Sequence, residues 1–313
     1  MKHISFKSGF LISTAKSQRG DRGYASEQCS LICWYIYQQI KPSPFHEMKS
    51  PPQKKIHAYL ERKATAIFWP GDLPKILRDL REECNALDLN AEQILKFLLE
   101  EEVLCKAEFR SPTYPPIVRY LWGHPSSYQL AISPRRNSFL CHRTALVLHG
   151  LEQPSKLIYV NQEQTPKSPS EGVTQEAITS AFANHQRQSK YLFKYVGAQY
   201  LLLSGKNTGR TGVLQMKGPD GKDVDVTDLE RTLIDVVVRP AYAGGINQVA
   251  QAYKQAAHRV DVDHMIKLLK NMQYVYPYHQ SIGFLLERAG RTEEECRKLK
   301  KLGTELISIW TTK

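Results

Sequence analysis

Residues 90–122 read NAEQILKFLLEEEVLCKAEFRSPTYPPIVRYLW, and the change of period inside this stretch decides the fold. Ile94, Leu95, Phe97 and Leu98 recur at helical spacing, with Asn90 as N-cap and Gln93, three residues on, as its capping-box partner. From Val103 the pattern is that of strands. Val103–Arg110 and Ile117–Trp122 flank Ser111-Pro-Thr-Tyr-Pro-Pro116, whose prolines stiffen a turn and cannot continue a ladder. A helix that runs directly into a hairpin is therefore predicted.

Upstream, Ile56, Tyr59 and Leu60 fall at i, i+3 and i+4. Leu73, Ile76, Leu77 and Leu80 repeat that spacing after Pro70-Gly-Asp72, with Asp72 as expected N-cap and Pro74 in the first turn. Helix, helix, helix, hairpin is the order of a winged helix-turn-helix, assigned to residues 51–137. A third strand is expected at Tyr128–Ser133 to close its small sheet.

Residues 138–313 read as a second, larger domain, which makes the fold class α/β (α+β). A short helix is expected from Ser138 through Leu148, ended by Gly150, followed by a strand at Lys156–Val160. A Pro/Ser/Glu-rich loop, Glu163–Gly172, leads to a helix near Gln175–His185. Tyr191–Val196, Tyr200–Ser204, Gly212–Lys217 and Asp223–Val226 are four further strand candidates. Thr227-Asp-Leu-Glu230 reads as a capping box opening a helix through Val238, stopped by Arg239-Pro240. Beyond Gly244-Gly245 the chain is mostly helical to Leu302, with Gly290 as a stop and Thr292–Glu295 as another capping box. Leu306–Trp310 is expected to add a strand.

Residues 1–50 differ from the rest: a polar stretch at Ser13–Ser26, a short apolar segment, then Lys41-Pro-Ser-Pro44. They are expected to form a poorly ordered extension, or to precede a true start at Met48. The apolar run Leu31–Tyr37 is too short to span a bilayer and begins too late for an ordinary signal peptide.

The 313 residues carry 43 Lys and Arg against 31 Asp and Glu, a net charge of +12 that attracts polyanions. The six cysteines, Cys29, Cys33, Cys84, Cys105, Cys141 and Cys296, include one close pair without a second at zinc-finger spacing, which fits a reduced, cytoplasmic setting. Cys141-His142 and His149 lie on one predicted helix at offsets that do not converge on a metal. Neither a metal nor another cofactor is expected.

The distribution of charge is sharper than its sum. Between Glu108 and Glu152 no acidic residue occurs, while Arg110, Arg119, Arg135, Arg136 and Arg143 all fall there, flanking the predicted wing. Phosphate oxygens suit arginine's fixed fork, so these residues are candidate DNA contacts. On the helix at residues 90–102, Asn90, Gln93 and Lys96 are candidates for base edges, although Glu92 and Glu100 share its outward side. A second acid-free run, Ala177–Pro219, carries Arg187, Lys190, Lys194, Lys206, Arg210 and Lys217. It holds the loop Ser204-Gly-Lys-Asn-Thr-Gly-Arg-Thr-Gly212, which lacks Walker A spacing and sits between strands, with no helix N-terminus to supply aligned N–H groups. That loop reads as a flexible hairpin or a second DNA-facing patch. Asp223, Asp225, Asp228, Glu230 and Asp235 are the one carboxylate cluster, with Glu230 expected to serve as a cap.

Four blocks in order carry a family resemblance. Cys141-His-Arg-Thr-Ala-Leu-Val-Leu-His-Gly-Leu151, Val226-Thr-Asp-Leu-Glu-Arg-Thr-Leu-Ile-Asp235, Arg239-Pro-Ala-Tyr-Ala-Gly-Gly245 and Gly283-Phe-Leu-Leu-Glu-Arg-Ala-Gly290 resemble the AbiEi-like antitoxins of bacterial abortive-infection (type IV) toxin–antitoxin systems. The resemblance spans roughly residues 51–300. It implies a winged helix-turn-helix that represses its own operon, with double-stranded operator DNA as partner. It also implies a C-terminal domain, 138–313, that counteracts a nucleotidyltransferase-type toxin without a stable complex. Thr227, Glu230, Arg231 and Asp235 are then candidate antitoxin determinants, with capping and internal ion pairing as the other explanation. The reading is of a regulator, not an enzyme. Two others stay open: a nuclease-like DNA-processing enzyme using the Asp223–Asp235 cluster, and a phage-defence interaction module that does not bind DNA.

Overall fold

The computed structural model describes residues 53–63, 65–166, 174–176, 179–180 and 187–303. The expectations for residues 1–50, with Cys29 and Cys33, and for Leu306–Trp310 lie outside the described residues, as does most of the helix expected near Gln175–His185. The class is mixed α/β, with two sheets among the described residues.

The first part runs α1 (Gln53–Glu61), β1 (Ile67–Phe68), α2 (Leu73–Glu83), α3 (Ala91–Glu100), β2 (Leu104–Phe109) and β3 (Ile117–Trp122). The apolar stripes read from spacing are buried at Ile56, Tyr59 and Leu60, at Leu73, Ile76, Leu77 and Leu80, and at Ile94, Phe97 and Leu98, while Leu95 of the third stripe is only partly buried. Each such side chain contributes about 1.5–3 kcal/mol on burial, which fixes the helices against one another. The hairpin is antiparallel, in register from Leu104↔Trp122 to Phe109↔Ile117. β1 pairs antiparallel with β3 at Ile67↔Leu121 and Phe68↔Tyr120, giving the sheet order β1-β3-β2. The described elements of this part thus run helix, strand, helix, helix, hairpin.

The expected third strand at Tyr128–Ser133 is instead a helix, α4 (Ser127–Ile132). Ser126 Oγ accepts from the Gln129 amide at 3.2 Å, and Gln129 Oε1 accepts from the Ser126 amide at 3.2 Å. That reciprocal cap outweighs the weak strand pattern, and β1 takes the strand's place in the sheet. Asp72 makes no side-chain cap to α2. Its carboxylate accepts from the Trp69 amide at 3.3 Å, one turn earlier, because a 3-10 turn at Pro70–Asp72 precedes the helix.

The second sheet has the order β6-β7-β5-β4-β9-β8, formed by β4 (Phe139–Leu140), β5 (Leu157–Glu163), β6 (Leu192–Tyr195), β7 (Ala198–Gly205), β8 (Val213–Lys217) and β9 (Asp223–Thr227). β5 and β7 are parallel, as are β4 and β9; the other pairs are antiparallel. β4 occupies the place where a helix was expected to begin, and α5 starts later, at His142–Leu148. Its two residues join the halves of the sheet, pairing Phe139↔Asn161 and Leu140↔Val226.

The wing hairpin belongs to this sheet's core. Ala107, Phe109, Leu121 and Leu130 are buried in one cluster with Ile158, Val160, Phe193, Tyr200, Val224 and Val226. The described residues from Gln53 on accordingly form one compact unit, and packing crosses the position 137/138.

The remaining helices are α6 (Leu229–Val238), α7 (Ile246–Ala256), α8 (Val262–Met272), α9 (Tyr278–Arg288) and α10 (Glu293–Lys300). α6 is central to them, burying Leu233, Ile234, Val236 and Val237 against residues of α7 to α10. Glu230, Arg231 and Asp235 are buried on it too, so each needs a partner.

Candidate functional site

Arg110, at the end of β2, has 79% of its side chain open to solvent and a 3.2 Å ion pair to Glu108. Arg119, on the neighbouring strand, is not available to a ligand, contrary to expectation. It is 3% exposed, donates to the carbonyls of Val118, Ser133 and Pro134 at 2.5–2.8 Å, and lies 3.6 Å from the Trp69 ring centroid. Burial, with Arg136 nearby, pushes its pKa down to about 10, so it remains charged at neutral pH. Within β3 it alternates with Leu121, and that period-2 pairing with a core leucine is the sequence signal of an inward side chain.

Arg136 is exposed but pairs with Asp72 at 3.1 Å, and Arg143 pairs with Glu152 at 3.6 Å. The stretch free of acids in sequence is thus supplied with carboxylates in space, from the start of α2 and from either end of the run.

Spatially, the two acid-free runs meet. Arg110 and Lys194 exchange backbone hydrogen bonds, Arg110 N–H to Lys194 O at 3.0 Å and Lys194 N–H to Arg110 O at 2.8 Å, which joins the end of β2 to β6. Residues paired this way carry their side chains on the same side of the ladder, so Arg110 and Lys194 project together. Beside this seam Tyr114 of the wing turn stacks on Tyr191, centroids 4.2 Å apart. Arg135 donates to Ser204 Oγ at 3.0 Å and lies 5.1 Å from the Tyr191 ring. Lys190, Arg187 and Lys194 are exposed.

On α3 the candidates have other work. Asn90 Oδ1 accepts from the Gln93 amide at 2.9 Å and Gln93 Oε1 from the Asn90 amide at 2.8 Å, the reciprocal cap predicted for them. Lys96 is 3.8 Å from Glu100. The outward side is a shallow groove of Glu92, Leu95, Lys96, Leu99 and Glu100, a lining poor in donors for base edges.

The loop Ser204–Gly212 is fastened down along its length. Lys206 Nζ donates to the Gln273 carbonyl, and Arg210 donates to Asn137 O and to Asp225, both at 2.6 Å. Glu163 accepts from Thr208 Oγ1 and, at 3.0 Å, from the Arg210 amide. Lys206 and Arg210, expected as a basic patch, are therefore tied to the fold. As expected the loop lies between two strands, β7 and β8, and its far end packs on the first turn of α6 through a side chain: Arg231 Nη1 donates to Thr208 Oγ1 at 2.9 Å and to Thr211 O at 2.5 Å. Gly212 makes the close approach possible. It has φ +71°, and a Cβ there would stand 2.7 Å from Arg231 Cβ. Gly212→Ala is expected to destabilise the fold by about 1–3 kcal/mol through backbone strain and overlap; chemical denaturation measures it.

The N-cap of α6 is Asp228, accepting from the Arg231 amide at 2.7 Å, and not Thr227 as predicted. Thr227 instead shares a buried hydroxyl contact with Thr232 at 2.7 Å, and Glu230 accepts from the Asp261 amide at 2.8 Å. Arg231 and Asp235 form a buried ion pair, Nε to Oδ1 at 2.8 Å, with 3% and 7% side-chain exposure. Burial opposes the guanidinium's charge, but Asp235, Tyr274 and Glu163 together outweigh it and hold the pKa above its usual value. Asp223 pairs with Lys217 at 2.8 Å and Asp225 with Arg210, so the carboxylate cluster is divided among separate partners.

His142 is buried at φ +49°, edge-on to Tyr242 with centroids 5.3 Å apart, and its Nδ1 has no hydrogen-bond partner. Burial pushes its pKa down to about 4, and Arg231 and Arg239 add to the shift while Asp235 opposes it. Between that value and the ordinary 6.5 the unfolded chain binds more protons, so stability rises with pH. The contribution is intact above 6.5 and is lost as pH falls toward 4. On acidification the wild type should lose on the order of 1–3 kcal/mol more than His142→Asn, whose side chain tolerates the positive φ. Urea midpoints at several pH values decide this. Burial likewise raises the Cys141 thiol, which leaves it unreactive.

No protein-family model matches the chain, and no curated protein matches it. Among solved structures, the RV2827C protein from Mycobacterium tuberculosis is similar over 83% of this chain and 85% of its own, with a TM-score of 0.49 and 13% identity. Among the described residues no helix is long and apolar enough to cross a membrane.

Proposed function

We propose that this chain is a DNA-binding transcriptional regulator and antitoxin of the AbiEi-like, type IV kind, acting in the cytoplasm. In this reading it represses its own operon and counteracts a nucleotidyltransferase-type toxin without a stable complex. Support comes from the four sequence blocks, the winged-helix element order and a net charge of +12. The observation that carries the DNA half is the Arg110–Lys194 bridge, which joins two acid-free basic runs distant in sequence. Arg110, Lys190 and Lys194, with Arg136 once it exchanges Asp72 for phosphate, supply the backbone contacts; α3 contributes little to base reading.

Binding of the full chain to its own upstream DNA, followed by fluorescence anisotropy across salt concentrations, tests this half. Steep, sequence-selective binding is expected. Cleavage of the DNA in the presence of metal would favour a processing enzyme, and an absence of binding would favour an interaction module. Rescue of cells expressing a nucleotidyltransferase toxin from the neighbouring gene tests the antitoxin half.

A further inference from the structure

We propose that Asp228, Glu230 and His264 form a binding site for one divalent transition-metal ion, held between the first turns of α6 and α8. One candidate ligand atom from each residue lies within 4.8 Å of the other two. The three come from two helices and are separated in sequence, so no spacing motif announces them.

Each ligand is already oriented by the backbone. Asp228 Oδ1 accepts from the Arg231 amide at 2.7 Å, leaving Oδ2 facing His264 Nε2 at 3.0 Å. One Glu230 oxygen accepts from the Asp261 amide at 2.8 Å, leaving the other. The His264 amide donates to Asp261 Oδ1 at 3.0 Å, which locks the start of α8. Because Asp228 and Asp261 cap the two helix ends, carboxylates and not bare N–H groups border the gap. This is the arrangement in which outer hydrogen bonds fix metal ligands in place.

Charge supplies the second argument. Glu230 is 8% exposed, yet among the described residues no Lys, Arg or His forms an ion pair with it. Asp228 is nearly as buried, and its one ionic partner among the described residues is His264. On the same helix Asp235 has Arg231, so α6 supplies a cation for one buried carboxylate and none for Glu230. Two neighbouring buried carboxylates repel, and a divalent ion between them offsets both. An imidazole with two carboxylates suits Mn²⁺, Co²⁺ or Zn²⁺ better than Ca²⁺ or Mg²⁺. His264, with 39% of its side chain exposed, forms the open rim where the ion enters and retains water.

The test uses the full chain, stripped with chelator and titrated with Mn²⁺, which thiols bind weakly, while the free-ion EPR signal is followed. One saturable equivalent per chain is expected, with a rise in the melting midpoint on loading. His264→Ala, at the half-exposed rim, should weaken binding about tenfold or more without unfolding the chain. Glu230→Gln should do the same, and Asp223→Asn, outside the site, should leave it unchanged. Absence of a saturable equivalent, or binding indifferent to His264→Ala, overturns the proposal.

Discussion

Replacing Arg231 by alanine is expected to lower the unfolding free energy by about 3–5 kcal/mol, the usual consequence of leaving a buried carboxylate without its partner. Asp235 would be left without its cation at 7% exposure in the helical core, and the loop at Thr208–Thr211 would lose two hydrogen bonds from Arg231 Nη1 at once. Paired replacement, Arg231→Met with Asp235→Leu, should recover much of the loss, because an apolar pair of similar volume needs no desolvated charges. Urea denaturation of the three variants separates these cases. A loss under about 1 kcal/mol for Arg231→Ala would mean that the α6 network is not what secures the loop. The outcome also bears on the antitoxin reading. If Arg231 and Asp235 hold the core, loss of toxin rescue in their variants reports unfolding, and recognition must reside elsewhere.

The second large effect is on DNA. Replacing Arg110, Arg136, Lys190 and Lys194 together by alanine is expected to weaken binding about a hundredfold at moderate salt, across all sequences alike. The salt slope should become shallower by about 0.9 for every phosphate that is no longer neutralised. These side chains are exposed and make at most surface ion pairs, so folding should change little. Arg119→Ala, by contrast, should lower stability, since it removes donors from the buried carbonyls of Ser133 and Pro134. Treating the five wing arginines as equivalent would miss that difference.

Much of the fold was legible where a segment was long enough to show its period or where a cap was complete. The stripes of α1, α2 and α3, the Asn90–Gln93 box and the Thr292–Glu295 box read directly. β1 and β4 did not, because two residues carry no alternation; pairing with β3, β5 and β9 makes them strands. At α6 the sequence reading placed the cap one residue early, at Thr227. Packing chose Asp228, freeing Glu230 for the start of α8. The site was half legible. Acid-free runs are visible as runs, but the carboxylates that reach them, such as Asp72 to Arg136, come from other elements. Neither the meeting of Arg110 with Lys194 nor that of Asp228 with His264 leaves a local signature, since each depends on how distant elements dock.

We propose that the face built where the β2–β3 hairpin and β6 join binds DNA. The most direct test is the slope of binding affinity against salt for the wild type and for the variant lacking Arg110, Arg136, Lys190 and Lys194, on the same duplex. A steep wild-type slope is expected to fall by about 2–4 in the variant, with both proteins equally folded. Equal slopes and equal affinities would contradict it.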